Sequence, residues 1–497
     1  MNFLAFERAL GSIFIRVRLL LWLFALSWTW VFFGAASSAS DSTSLFVAET
    51  PTISLGKVSD SGMGRSWLLS SRLSFESARY ASPWPENSRL QQSQRVTAEF
   101  QGKWFRGAWE HELDFFAGGI VDWGVSHFGW QSLGSQWRQQ NQTWSFGRHI
   151  RNWSWLDREW ELGLWEPKFA LDSLRPVRQG LTGIFYERSS SQQSFLLFVT
   201  PVFIPTMGPE IREKNQGLVA ESRWYRAPSS SLNLFGKEIR VLYSLDEVNI
   251  ANLVTNPGAG FRWSVQPHEN WELAVNYAQK PINQLSVRYR RDLITRAPDN
   301  PDGQAVVGPA LSLHELGGSD FFWHTGAWKV YASYLEDRPK KQRAPGDQSS
   351  GRIEWIQQQP GEMKIWGAGV VWQNVDRQLR VSYLNAQEEL SEDVDSMGVV
   401  RGAIFPHRLQ YTRALRVSWS EQWNSRFSHQ FSWLREEDQK GDIVMTLIRY
   451  QNPRPWIWSL GFDVLSLDDS SSSNSDDRFI NQFRLNDRIF GGISYVF

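Results

Sequence analysis

Alternation organises this chain. From about Ser44 onward, apolar residues recur at every second position, the spacing that places side chains on one face of a β-strand. "RVTAEFQGKW" sets Val96, Ala98, Phe100 and Trp104 against Thr97, Glu99, Gln101 and Lys103. "AWEHELDFF" sets Trp109, Leu113 and Phe115 against Glu110, Glu112 and Asp114. "WELAVNY" sets Trp271, Leu273, Val275 and Tyr277 against Glu272, Ala274 and Asn276. "QLSVRYRR" sets Leu285, Val287 and Tyr289 against Ser286, Arg288 and Arg290. "PWIWSLGFDV" sets Trp456, Trp458, Leu460, Phe462 and Val464 against Ser459, Gly461 and Asp463. Each predicts a strand with one apolar and one polar face, and the polar faces carry charge at mid-strand.

The joints are of two kinds. "QPHEN", "QNVDR", "SEQWN" and "QNPRP" are short; "RRDLITRAPDNPDGQ", "EDRPKKQRAPGDQSSG" and "SLDDSSSSNSDD" are long and polar. Such a mixture fits an up-and-down antiparallel meander with a short-turn end and a long-loop end. The predicted fold is all-β, a transmembrane β-barrel of about 16–20 strands, with 18 the best fit because single-chain membrane barrels favour even numbers.

Composition sharpens this picture. The chain holds 28 Trp and 31 Phe, yet its mean hydropathy is −0.40. Large amphipathic rings gather where one side is apolar and the other wet. Several fall near predicted strand ends: Trp67, Tyr80, Trp104, Trp355, Trp372, Trp419, Trp423 and Trp456. Two belts of such rings would frame a lipid-facing band. A Trp-rich soluble sandwich or propeller is the bland alternative, but no repeat of the propeller period emerges. Strands that face lipid cannot leave an edge unpaired, so they must close. Basic and acidic residues number 52 each, so no global charge draws the chain to nucleic acid. Cysteine is absent, which excludes disulfides, zinc–thiolate sites and a thiol nucleophile.

Residues 1–40 read as a cleaved secretory signal peptide: Arg16 and Arg18, an apolar run from Leu19 to Phe33, then small residues with cleavage after Ser37 or Ser40. No later segment has eighteen consecutive apolar residues. Residues 41–497 are expected to form a single barrel domain.

The final residues "RIFGGISYVF" place Ile489, Ile493, Tyr495 and Phe497 on one strand face, with Gly491 the weak position. Together with the export signal, the alternating strands and the aromatic ends, this resembles bacterial outer-membrane β-barrel proteins of the porin-like kind, without naming a subfamily. In that superfamily such a terminus is read by the barrel-assembly machinery. The resemblance implies export through the periplasm to the outer membrane of a Gram-negative cell. It implies membrane lipid, the assembly machinery and small solutes as partners, and it leaves room for a homo-oligomer.

One stretch breaks the alternation. Residues 147–183, "GRHIRNWSWLDREWELGLWEPKFALDSLRPVRQGLTG", are dense in Arg, acids and Trp and contain Pro167 and Pro176, which disfavour central strands. Strands lead in and out. In porin-like barrels such a segment folds into the lumen, so 151–180 is the expected inward segment. Arg151, Asp157, Arg158, Glu159, Asp172, Arg175 and Arg178 are its candidate constriction charges; the alternative is an external loop with solvated charges. Rings of charge select solutes by sign and size. Candidate lumen-wall charges are Glu110, Glu112, Asp114, Arg288, Arg290, Arg380 and Arg416, giving an acidic and a basic stripe that either set a transverse field or neutralise one another. A second irregular stretch, residues 200–217, either covers the mouth or projects outward. In "TWSFGRHI", strict alternation puts Arg148 on the apolar face, a conflict that a bulge or the membrane edge must resolve. The Gly–basic pairs Gly56–Lys57, Gly147–Arg148 and Gly236–Lys237 open no helix and do not fit a phosphate loop.

Enzymatic chemistry has little support. His111 lies beside Glu112 and Asp114 but on the opposite strand parity, and neither GxSxG nor HExxH occurs. No catalytic residue, metal site or cofactor is expected. The favoured function is passive diffusion of small hydrophilic or charged solutes. Export of an anionic polymer, which needs a continuous basic track, and a closed structural or adhesive barrel are the alternatives.

Overall fold

The computed structural model describes residues 65–84, 88–228, 231–234, 237–247, 250–294, 302–341, 355–395, 400–402, 407–453, 455–468 and 478–497. The signal peptide, Gly56–Lys57 and Gly236 lie outside the described residues. Eighteen strands form one sheet: β1 (Arg65–Tyr80), β2 (Gln92–Arg106), β3 (Trp109–Ile120), β4 (Val125–Gln139), β5 (Gln142–His149), β6 (Leu181–Ser189), β7 (Gln193–Thr200), β8 (Gly258–His268), β9 (Trp271–Pro281), β10 (Leu313–Thr325), β11 (Trp328–Pro339), β12 (Met363–Gln373), β13 (Arg377–Glu388), β14 (Arg413–Gln422), β15 (Phe427–Glu436), β16 (Gly441–Gln451), β17 (Trp456–Leu467) and β18 (Arg488–Val496). Each pairs antiparallel with its neighbour in this order. The sheet closes because β18 returns to β1, with Leu73 opposite Tyr495 and Phe75 opposite Ile493. The terminal strand therefore has a partner on both sides, and no edge is left open.

The connections sort by end with one exception, the four-residue joint 121–124 at the long-loop end. Residues 107–108, 140–141, 190–192, 269–270, 326–327, 374–376, 423–426 and 452–455 make short turns at one end. The long joints, among them 150–180, 201–257, 282–312, 340–362, 389–412 and 468–487, share the other.

The apolar strand face points outward. Leu73, Phe75, Leu273, Val275, Trp458, Leu460 and Ile489 are exposed on the outer wall, while their neighbours Ala274, Asn276, Ala278, Asp463, Arg488 and Phe490 are buried inside. Aromatic contacts ring the short-turn end: Trp144 with Tyr186 at 4.8 Å, Trp372 with Trp419 at 6.3 Å and Trp456 with Tyr495 at 4.7 Å. Trp366 and Tyr383, 5.5 Å apart, lie toward the long-loop end of the same outer face. Tyr80 departs from this pattern. It is buried inside, stacked on Trp123 at 6.4 Å.

Two expectations need correction. "QLSVRYRR" is a strand, Ser286–Ile294, but it belongs to a separate seven-stranded sheet built from the long connections. Arg288 and Arg290 are therefore not on the lumen wall; Arg288 pairs with Asp246 at 2.8 Å and both stack over Trp355. Alternation marks any strand with one wet face, so it cannot separate wall from loop sheet. The inner wall is also not uniformly ionic. Toward the long loops it presents Leu316, Leu335, Ile365, Leu384, Leu434 and Ile443, all buried, because another part of the chain packs against them.

Candidate functional site: the segment across the lumen

Against Leu335 and Ile365 that part is residues 150–180, while the helix at 479–483 packs on the strand of Ile443. The connection between β5 and β6 enters the barrel and carries a short helix, α1 (Trp155–Trp160). Its apolar side chains form the centre of the main core: Leu156 and Trp165 are 0% exposed and Trp153 is 2% exposed. Trp153 stacks on Trp165 at 5.6 Å. The wall makes room for α1 with an inward glycine, since a β-carbon at Gly367 would run into the Leu156 side chain. Burying one such leucine contributes about 1.5–3 kcal/mol.

Hydrogen bonds and ion pairs tether the segment on opposite sides of the ring. On one side, Asn276 of β9 donates to the Trp153 carbonyl at 2.8 Å. Asp320 of β10 accepts from the Trp155 amide at 3.2 Å and from Ser333 at 2.5 Å. On the other side, Arg175 donates to Asp463 of β17 at 2.6 Å and Asp172 accepts from Arg488 of β18 at 2.6 Å. Arg488 also donates to Asp463 at 2.6 Å, joining the two pairs into one buried network. Between these poles, Arg380 of β13 donates to Glu159 at 2.6 Å. Arg416 of β14 donates to the Glu159 carbonyl at 2.8 Å and lies 4.5 Å over the Trp160 ring. The segment thus spans the lumen.

The other candidate charges hold the segment's own shape. The Asp157 carboxylate accepts from the amides of Leu164 and Trp165 at 2.9 and 3.2 Å and closes the turn after α1. Arg151 donates its amide to Glu166 at 2.6 Å, and Arg178 reaches the same carboxylate at 2.6 Å. Arg158 stacks 3.8 Å over Trp155 and donates to Asn152. Glu110, Glu112 and Asp114 face inward on β3 near Lys103, which lies 3.7 Å from Glu110 and 3.9 Å from Glu112. His111 faces outward between Trp104 and Trp109 and hydrogen-bonds Ser135 at 2.8 Å.

Arg148 resolves its conflict through Gly147, whose φ of +108° turns the backbone. Arg148 is buried, donating to the Gly180 carbonyl and to Gln179, both at 2.9 Å. At Gly147 a β-carbon would also collide with the Leu133 carbonyl. Gly147→Ala is expected to destabilise the barrel by about 1–3 kcal/mol, read as an earlier loss of the fast-migrating folded band in heat-modifiable gel mobility.

Burial alone would raise the Asp172 carboxyl, but Arg488, Arg175 and Arg95 outweigh it and hold it at about 2, below the ordinary 3.8. A depressed carboxyl contributes stability that is full above its ordinary value and is lost as pH falls through the lower one. This contact is expected to weaken only between pH 3.8 and about 2, as followed by tryptophan fluorescence.

The other long connections close over the segment. Residues 203–207 pack on it: the Met207 amide donates to the Lys168 carbonyl at 2.9 Å. The stretch 200–217 thus divides, since Ile211–Lys214 and Gly217–Ala220 form a separate hairpin. Helix α2 (Phe479–Phe483) stacks Phe479 on Trp224 at 6.0 Å. The neighbouring Arg223 donates to Asn486 at 2.9 Å and lies 4.2 Å over Tyr80.

Sequence reading missed several partners of the segment. Asp463 and Arg488 were legible as inward charges by parity, but nothing local ties them to Asp172 and Arg175. The buried His314–Asp337 pair, 2.7 Å apart and completed by Arg408 at 2.7 Å, gave no local signal either.

No family model matches the chain, and no curated protein matches it. Among solved structures it is similar to Acinetobacter baumannii OccAB3, at 8% identity and TM-score 0.42, over 87% of this chain and 99% of that one. It is also similar to Pseudomonas aeruginosa OpdQ, at 7% identity and TM-score 0.43, over 87% and 98%. OmpT, an outer membrane protein of Vibrio cholerae, is similar at 7% identity and TM-score 0.36, over 87% and 98%. Closure without an edge and an apolar outer face make this chain, in its fold, an all-β up-and-down antiparallel barrel of eighteen strands.

Proposed function

We propose that the protein is a narrow, loop-constricted channel for the diffusion of small hydrophilic or charged solutes. The observation that carries this reading is the lumen-spanning segment with charged, wet space on the short-turn side. There Lys103, Glu110 and Arg138 face inward and partly exposed, Arg138 lying 3.6 Å from Glu110. An eighteen-stranded barrel is wide enough for an aqueous lumen, so conduction here is set by what fills it. Pairing of Arg175, Arg178 and Arg380 with carboxylates weighs against an exporter of anionic polymer, which requires unneutralised positive charge along its route. In this reading the residues 41–497 act as one unit, and the terminal Ile489, Ile493, Tyr495 and Phe497 serve recognition by the barrel-assembly machinery.

A second reading, a sealed barrel whose long connections bind a surface partner, is favoured by the dry tryptophan core of the segment. Single-channel recording in planar bilayers separates the two. The channel reading predicts discrete steps much smaller than those of an unobstructed barrel of this strand number; persistent silence at high protein load supports the sealed one.

A further inference from the structure

Above the segment, toward the long loops, lies a cavity of about 200 Å³. Its floor is residues 160–170 of the segment, and its walls include His314 and Met363 at the long-loop ends of their strands and Arg408–Tyr411 of the 389–412 connection. Several water molecules' worth of space therefore sits where an entering solute first meets the constriction.

Its charges are arranged unevenly. The Lys168 ammonium donates to the Glu161 carbonyl at 2.7 Å and forms no ion pair among the described residues. The Glu161 carboxyl takes no hydrogen bond among the described residues, and its backbone is held in the left-handed region at φ +49° as the cap of α1. Arg408 is balanced by Asp337. One anion and one cation thus line the same cavity without neutralising each other by direct contact. Burial pushes the Glu161 carboxyl up against the pull of Arg416 and Lys168, and the Lys168 amine down against that of Glu161 and Asp157, so each still gains from a directly bonded partner of opposite sign.

We infer that this cavity is a binding site for a small dipolar solute, one that offers a cationic group to Glu161 and an anionic group to Lys168. The site rests on the channel reading for its role in transport but not for its existence. A solute with only one charge leaves the other half-buried group without a contacting counter-charge, which is where selectivity arises.

The test is isothermal titration of the full-length protein in detergent with 4-aminobutyrate, a zwitterion at neutral pH, against butyrate and n-butylamine. The zwitterion is expected to bind saturably, and each single-charge comparator at least roughly tenfold more weakly. Glu161→Gln is expected to bring the zwitterion down to the level of butyrate. Lys168→Met is expected to bring it down to that of n-butylamine. Heat-modifiable mobility confirms that each variant folds. Absence of zwitterion binding, or affinity unchanged in both folded variants, overturns the site. Binding needs no conduction, so a saturable site in a silent barrel would keep this inference and remove the channel, while conducting steps without binding would do the reverse.

Discussion

Arg488→Met is expected to loosen the lumen-spanning segment from its wall and to make the barrel markedly easier to unfold. The Arg488 guanidinium donates to Asp463 and Asp172, both buried. Its removal leaves Asp172 without its directly bonded cation, with only the longer-range pull of Arg175 and Arg95, and leaves Asp463 with Arg175 alone. Breaking a buried ion pair from one side costs about 3–5 kcal/mol, because an uncompensated charge stays behind. The heat-modifiable transition should fall well below that of the parent protein, and open steps in bilayers should grow and flicker. Adding Asp172→Asn should recover part of the loss, since Asp463 keeps Arg175 and no lone carboxylate remains on the segment. An unchanged transition in Arg488→Met would show that the segment is held by its apolar contacts alone.

The second large effect follows from removing the segment. His149 and Leu181 are paired across β5 and β6, so residues 151–179 can be replaced by a short Gly–Ser turn without moving either strand. The deletion takes away Trp153, Leu156, Trp160 and Trp165 and exposes the apolar inner wall they covered. Conductance is expected to rise on the order of tenfold, since a barrel of this strand number leaves an aqueous lumen when nothing fills it. The same variant should be less stable than the parent, because Leu335, Ile365 and Leu384 lose their packing partners to water. Bilayer recording and the heat-modifiable transition read the two effects separately.

The strands and their inside–outside sense were legible because each carries its own alternation. Trp271, Leu273, Val275 and Tyr277 lie outward and Ala274 and Asn276 inward, as the spacing demands. The end of the chain was legible for the same reason: Ile489 is exposed on the outer face while Arg488 and Phe490 are buried inside. The segment at 151–180 stood out through its prolines and charge density. Its manner of anchoring did not. Asp320, Asp463 and Arg488 are distant in sequence, and a mid-strand charge looks alike whether it meets water or a guanidinium. Arg288 and Arg290 misled because a loop sheet with one covered face repeats the rhythm of a barrel wall. Arg148 was readable as an anomaly, but only the left-handed backbone at Gly147 explains how it turns away from the outer face.

Residues 150–180 lie inside the barrel, tethered across its lumen. The cysteine-free chain permits a direct measurement by disulfide trapping. The Leu156 Cγ lies 3.7 Å from where a β-carbon on Gly367 would stand, within reach of a disulfide bridge. Leu156→Cys combined with Gly367→Cys should cross-link in isolated membranes under mild oxidation and shift the band in non-reducing gels. No cross-link, with the cysteine at position 156 freely labelled by a membrane-impermeant maleimide, would place the segment outside the lumen and contradict the account.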